Sequence, residues 1–159
     1  MSDSIIEIKP MGSYFELDSE GYIINPASLD KIPDKYKKIL DEIVGIYKKS
    51  CGDKLINVYV RGSVAKGEAV DFVSDFDTLG FAKIPDIQDK EKFIEIFTNY
   101  RQIANDLKES LEKKYDFVTG IEIQIYPSHK VKNNIIILSQ ALCIYGEPFV
   151  LPKLNLEGI

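Results

Sequence analysis

The most constraining feature is a short apolar run, Leu55-Ile56-Asn57-Val58-Tyr59-Val60, that ends directly before Arg61-Gly62-Ser63. Its length and β-branched content predict a buried strand. A second strand is expected from Asp75 to Ala82, opening on Asp75-Phe76-Asp77. The loop between them carries Lys66 and a further glycine, Gly67.

The rest of the chain supplies elements to support such a sheet. Ser13 to Ile24 reads as a β-hairpin around Asp18-Ser19-Glu20-Gly21, which has turn chemistry. A connector is expected over 25–30. Tyr36, Ile39, Leu40, Ile43, Val44, Ile46 and Tyr47 recur at helical spacing, predicting a helix from Asp34 to Lys49 that stops at Gly52. A longer helix is expected from Ile87 to Lys114. Phe93, Ile96, Phe97, Tyr100, Ile103, Ala104, Leu107 and Leu111 form its apolar stripe. Phe117 to Tyr126 alternates, with Ile121, Ile123 and Ile125 on one face and Glu122, Gln124 and Tyr126 on the other. Val131 to Ile144 is ambiguous, but its length and its Leu, Ala and Gln content favour a helix. The tail from Pro148 shows no pattern of its own. Strands and helices are mixed without strict alternation, so the expected fold class is α/β in the broad sense (α+β), a mixed β-sheet backed by helices.

Composition bounds the functional classes. The chain has 159 residues, which predicts one domain over 1–159. Hydrophobic residues make up 45% and charged residues 28%, which excludes a collagen-like, disordered or disulfide-scaffold protein. No apolar run reaches the ~20 residues that cross a bilayer, so no membrane partner is expected. Met1-Ser2-Asp3-Ser4 carries no basic stretch, and the expected compartment is the cytoplasm. Twenty Lys and Arg stand against 25 Asp and Glu, a net charge of −5, which disfavours nucleic acid as a partner. Cys51 and Cys143 match no zinc or redox spacing and are expected to be free thiols.

The chemistry gathers around the two strand ends. Side chains alternate along a strand, so Asp75 and Asp77 share a face. Two adjacent carboxylates repel unless a hard cation neutralises them. Magnesium takes one or two carboxylates, several waters and substrate phosphates. Gly62 lacks a Cβ and lets a phosphate approach the backbone. Ser63 offers a hydroxyl and an N–H at the start of a short helix, and Gly67 gives the loop a second permissive point. Together these residues describe a triphosphate cradle facing a metal-binding carboxylate pair. Other residues point less far. His129 is the single histidine and has no adjacent residue to build a dyad. Tyr59, Tyr100 and Tyr126 fit a core as well as a base-stacking surface. Arg61 suits either a phosphate or an acidic neighbour. Asp71 lies out of register with the strand pair.

Arg61-Gly62-Ser63-Val64-Ala65-Lys66-Gly67-Glu68-Ala69, followed by Ser74-Asp75-Phe76-Asp77-Thr78, resembles the DNA polymerase beta-like nucleotidyltransferase superfamily. The likeness is to its small bacterial branch, the kanamycin nucleotidyltransferase type and the minimal nucleotidyltransferase antitoxins. The stretch from Tyr14 to Leu29 is similar to the opening of some bacterial nucleotidyltransferase-domain proteins. The resemblance implies a small mixed sheet backed by helices and a magnesium-dependent transfer of a nucleoside monophosphate from an NTP, ATP foremost, to a hydroxyl. Gly62, Ser63 and Lys66 would hold the nucleotide phosphates. Asp75 and Asp77 would ligate two Mg2+ ions, with Glu122 as the third carboxylate, either on the first metal or taking the hydroxyl proton. Two departures stand out: the third acid is more often Asp, and Lys66 occupies a position often held by Arg, losing the bidentate fork. The implied partners are the nucleotide and a small-molecule or protein hydroxyl acceptor. Larger relatives carry a further C-terminal helical domain, which this chain is expected to lack. A partner protein or a second subunit would then complete the site, unless the chain is a piece of a longer protein. The alternative reading is a weakly catalytic or non-catalytic protein-binding module, such as an antitoxin-like domain.

Overall fold

The computed structural model describes residues 15–84 and 88–155. The outermost residues of the expected hairpin, Ser13 and Tyr14, and the expected helix start at Ile87 lie outside them.

Helix α1, Asp34–Cys51, buries the periodic residues from Tyr36 to Tyr47. Gly52 ends it with φ 59° and an N–H donated to the Lys48 carbonyl, a conformation that costs glycine nothing. Strand β1, Leu55–Arg61, leads into α2, Gly62–Lys66. Strand β2, Phe76–Ala82, follows the loop. Helix α3, Lys90–Lys114, starts at Lys90 because the Asp89 carboxylate accepts the N–H groups of Glu91 and Lys92, satisfying donors a helix start leaves open. Its buried stripe runs through Ala104 and Leu111, with Ile103 42% exposed and off the stripe. Strand β3 is Ile121–Pro127.

The region expected to be one helix, 131–144, is not one. A 3-10 segment, Ser128–Asn134, leads into a single turn, α4, Ile135–Leu138. The chain then forms strand β4, Leu142–Gly146. Leu142-Cys143-Ile144-Tyr145 is a run that β1 can pair, and that ladder outweighs local helix preference. The hairpin is also reduced. Leu17 and Ile23 form a single antiparallel bridge around the turn, and Tyr22 bridges to Asn155 instead of extending the ladder.

The sheet order is β3-β2-β1-β4, with β2 and β3 parallel and the other pairs antiparallel. The fold is therefore a mixed four-stranded sheet with helices, as expected. α1 and α3 cover one face, packing on Val58, Val60, Phe76, Ile121 and Ile125. Tyr59, Leu79, Phe81, Leu138 and Ala141 form a smaller core on the other. The patternless tail takes part in it: the Phe149 ring meets Phe81 edge-on at 5.0 Å, and its N–H donates to Tyr59 Oη at 2.7 Å. Among the described residues no helix is long and apolar enough to cross a membrane.

Candidate active site

Strand register brings the predicted carboxylates together. Arg61 lies opposite Asp77 across the β1–β2 pair, and Asp77 lies opposite Glu122 across β2–β3. Neighbouring strands stand about 4.8 Å apart, so Asp77 and Glu122 are adjacent side chains. Asp75 sits one residue before β2, exposed at its mouth. The period-two spacing puts it on the Asp77 side, where its charge acts on Asp77.

This crowding has an electrostatic signature. The Asp77 carboxyl is pushed up to about 6. Partial burial is the main cause, then a hydrogen bond with Glu122 and the charge of Asp75, while Arg61 opposes them. The Arg61 guanidinium lies 3.7 Å from Glu122 Oε2, so Arg61 belongs to the acidic cluster. Negative charge still exceeds positive there.

Gly62 is the steric counterpart. Its φ is +74°, and a Cβ there would come within 3.0 Å of Asp77 Oδ2. Glycine keeps open the space against that carboxylate. Ser63 is half-buried on the first turn of α2, and its carbonyl accepts the Glu68 N–H at 2.9 Å. Lys66, half-buried in the last turn, shares that short helix with Gly62 and Ser63. The connecting loop is pinned from below, because Asp71 accepts hydrogen bonds from both Lys35 and Tyr36 of α1. Asp71 thus anchors the loop.

Gln124 was not singled out from sequence, and Tyr126 was weighed only as core or base-stacking surface. Gln124 Nε2 donates to Glu122 Oε1, and Tyr126 Oη donates to Gln124 Oε1 at 2.7 Å. Glu122 is therefore held at one oxygen by Gln124 and approached at the other by Arg61. The strand alternation that exposed Glu122 carried the same signal for both residues. Nothing in it revealed that the three join in one chain of hydrogen bonds.

As a metal site, the donor set consists of hard carboxylate oxygens with an uncompensated negative charge, which fits magnesium in chemical type. Among the described residues no group of three or more His, Cys, Asp or Glu side chains is arranged to hold a metal ion. What the arrangement fits is one or two carboxylates per ion, with phosphate oxygens and water making up the rest.

The chain matches no protein-family model and no curated protein. Solved structures do resemble it. One is a candidate nucleotidyltransferase from Sulfolobus solfataricus, 19% identical over 74% of this chain and 88% of the other, at a TM-score of 0.46. Another is a spectinomycin adenyltransferase from Enterococcus faecialis, solved with ATP and spectinomycin. It is 19% identical over 72% of this chain and 59% of its own, at 0.48. A toxin–antitoxin structure solved with AMP-PNP is 19% identical over 67% of this chain and 73% of the other, at 0.42.

Proposed function

We propose that this chain is a nucleotidyltransferase that moves a nucleoside monophosphate from an NTP, ATP foremost, to a hydroxyl acceptor. The observation that carries the reading is the register that sets Arg61, Asp77 and Glu122 side by side, with Asp75 at the strand mouth. A plain sheet gains nothing from a partly buried carboxylate raised to about 6, whereas such perturbation is common where charge has a task.

The acceptor oxygen would attack the α-phosphorus, and the bond from that phosphorus to the bridging oxygen of the β-phosphate would break. Pyrophosphate leaves, and the hydroxyl proton passes to a carboxylate. Glu122 is suited to take it, because Gln124 holds one of its oxygens and fixes its orientation. Gly62 and Ser63 line the phosphate side, with Lys66 as a point charge. Asp75 and Asp77 would hold two magnesium ions, and Glu122 would either take the hydroxyl proton or join them on the first ion. Such ions, when bound, neutralise the triphosphate and lower the pKa of the acceptor hydroxyl.

The test is pyrophosphate release from ATP and magnesium over a panel of hydroxyl acceptors. Turnover should be present with one or more acceptors and fall at least a hundredfold in Asp77→Asn. Turnover that survives that substitution contradicts the assignment.

A second reading, a protein-binding module, is favoured by one observation. The loop beside the site displays Val70, Phe72 and Val73 at 56%, 63% and 73% exposure. Phe72 also holds a left-handed φ of 64°, uncommon for a bulky residue. Under that reading, magnesium-dependent turnover is absent and Asp77→Asn leaves partner binding intact.

A further inference from the structure

Strand β3 is an edge strand, and its open side faces α3 across a trough. Phe93, Phe97, Arg101, Asn105 and Lys108 line the helical wall at spacings of four and three, so they form one stripe along α3. The strand forms the other wall in reverse order, with Pro127 in the cavity that Phe93 lines and Glu122 in the one that Lys108 lines. Arg101, Ile125 and Tyr126 line both of the trough's two cavities, of about 360 and 290 Å3. Such volumes suit a small molecule.

The charges in this trough are uneven. Glu122 is its one acidic lining residue. Arg101 rests 5.6 Å from the Phe97 ring centroid and Lys130 6.0 Å from that of Phe93. Among the described residues neither has a carboxylate within salt-bridge distance. Lys108 has Glu112 at 3.8 Å. A chain of net charge −5 thus leaves two unpaired cations in a trough that also offers aromatic surface. That trough ends at the carboxylate suited to receive the acceptor's proton.

We propose that this trough is the acceptor subsite and that it takes a small anionic hydroxyl compound. The carboxylate or phosphate would meet Arg101 beside the Phe97 ring, the body would lie along β3 toward Lys108, and the hydroxyl would face Glu122. The inference rests on the nucleotidyl-transfer reading for the acceptor role, but the preference for an anion stands on the trough alone.

The test uses three molecules with one aromatic hydroxyl body and different charge: 4-hydroxyphenylacetate, tyrosol and tyramine. Each is titrated into 15N-labelled full-length protein, and amide shifts are followed. The anion should perturb residues of α3 and β3 along the trough and bind at least tenfold tighter than the cation. In Arg101→Glu the difference should shrink below twofold, while Lys38→Glu, the same charge change on α1, should keep it. Should Arg101→Glu fail to fold, 0.5 M salt on the wild-type chain should collapse the preference by the same measure. Equal binding of all three, no binding of any at millimolar concentration, shifts elsewhere, a preference that survives in folded Arg101→Glu, or, where that variant does not fold, one that survives salt overturns the proposal. ATP titrated into the same sample separates the two readings. Absent ATP binding with an intact anion preference strikes the nucleotidyl-transfer reading. Normal ATP binding without the preference strikes the trough alone.

Discussion

Asp77 shows how much of the site depends on one side chain. Its carboxyl titrates near 6 in the folded chain, against about 3.9 when unfolded. The folded state therefore binds the proton more tightly. Below about pH 4 the group is protonated in both states and costs nothing. Between about pH 4 and 6 the cost of the folded carboxylate grows, and above about 6 it is complete. Asp77→Asn should consequently raise stability at pH 7.5, by about 1 kcal/mol once solvent screening is allowed for. That gain should vanish near pH 4. Thermal unfolding of both proteins at the two pH values checks this, and an equal gain at both would contradict the crowding. Alternation puts Asp75 and Asp77 on one face and Glu122 on the exposed side of its strand, while the choice of Glu122 as the third carboxylate came from the family resemblance. Arg61 was left between phosphate and acid, since only the cross-strand register shows that its neighbour is Asp77 and its contact Glu122.

At the scale of elements, periodicity placed α1, α3 and the first three strands to within a few residues. It failed where local preference and sheet pairing disagree. Residues 131–144 suit a helix in isolation, but β1 has a second edge to satisfy, and Leu142–Gly146 takes it. Gly146 closes that strand with φ +76°, where a Cβ would stand 2.1 Å from the Ile56 carbonyl oxygen. The packing of α1 on the sheet has a comparable tight point. A Cβ on Gly80 would lie 2.6 Å from the Tyr47 ring. Tyr47 cannot readily yield, because its hydroxyl meets Thr78 Oγ1 at 2.9 Å and accepts the Gln124 N–H at 3.2 Å. Gly80→Ala should therefore destabilise the protein by about 1–3 kcal/mol through overpacking. Urea denaturation reads the change directly. Because Tyr47 also contacts the backbone of Gln124, the substitution should disturb β3 next to Glu122 as well.

The whole molecule is a sheet with two unequal sides. The large core under α1 and α3 supplies the rigidity, and the smaller core opposite leaves one end of the sheet open around Asp77. Composition predicted a core of this kind, and the spacing of Gly62-Ser63 and Asp75-Phe76-Asp77 is what the proposed chemistry starts from. The trough between α3 and β3 was invisible beforehand, because it depends on how the helix lies against the sheet edge, which periodicity does not give. The docking of Phe149 on Tyr59 and Phe81 was hidden for the same reason.

The proposed function requires that the carboxylates at the ends of β2 and β3 form a metal-dependent nucleotide site. Calorimetric titration of ATP into the protein, with and without magnesium, tests it most directly. Saturable binding that needs magnesium and disappears in Asp75→Asn/Asp77→Asn is expected. Binding that ignores magnesium, or that survives the double substitution, would contradict it, as would no binding in either condition.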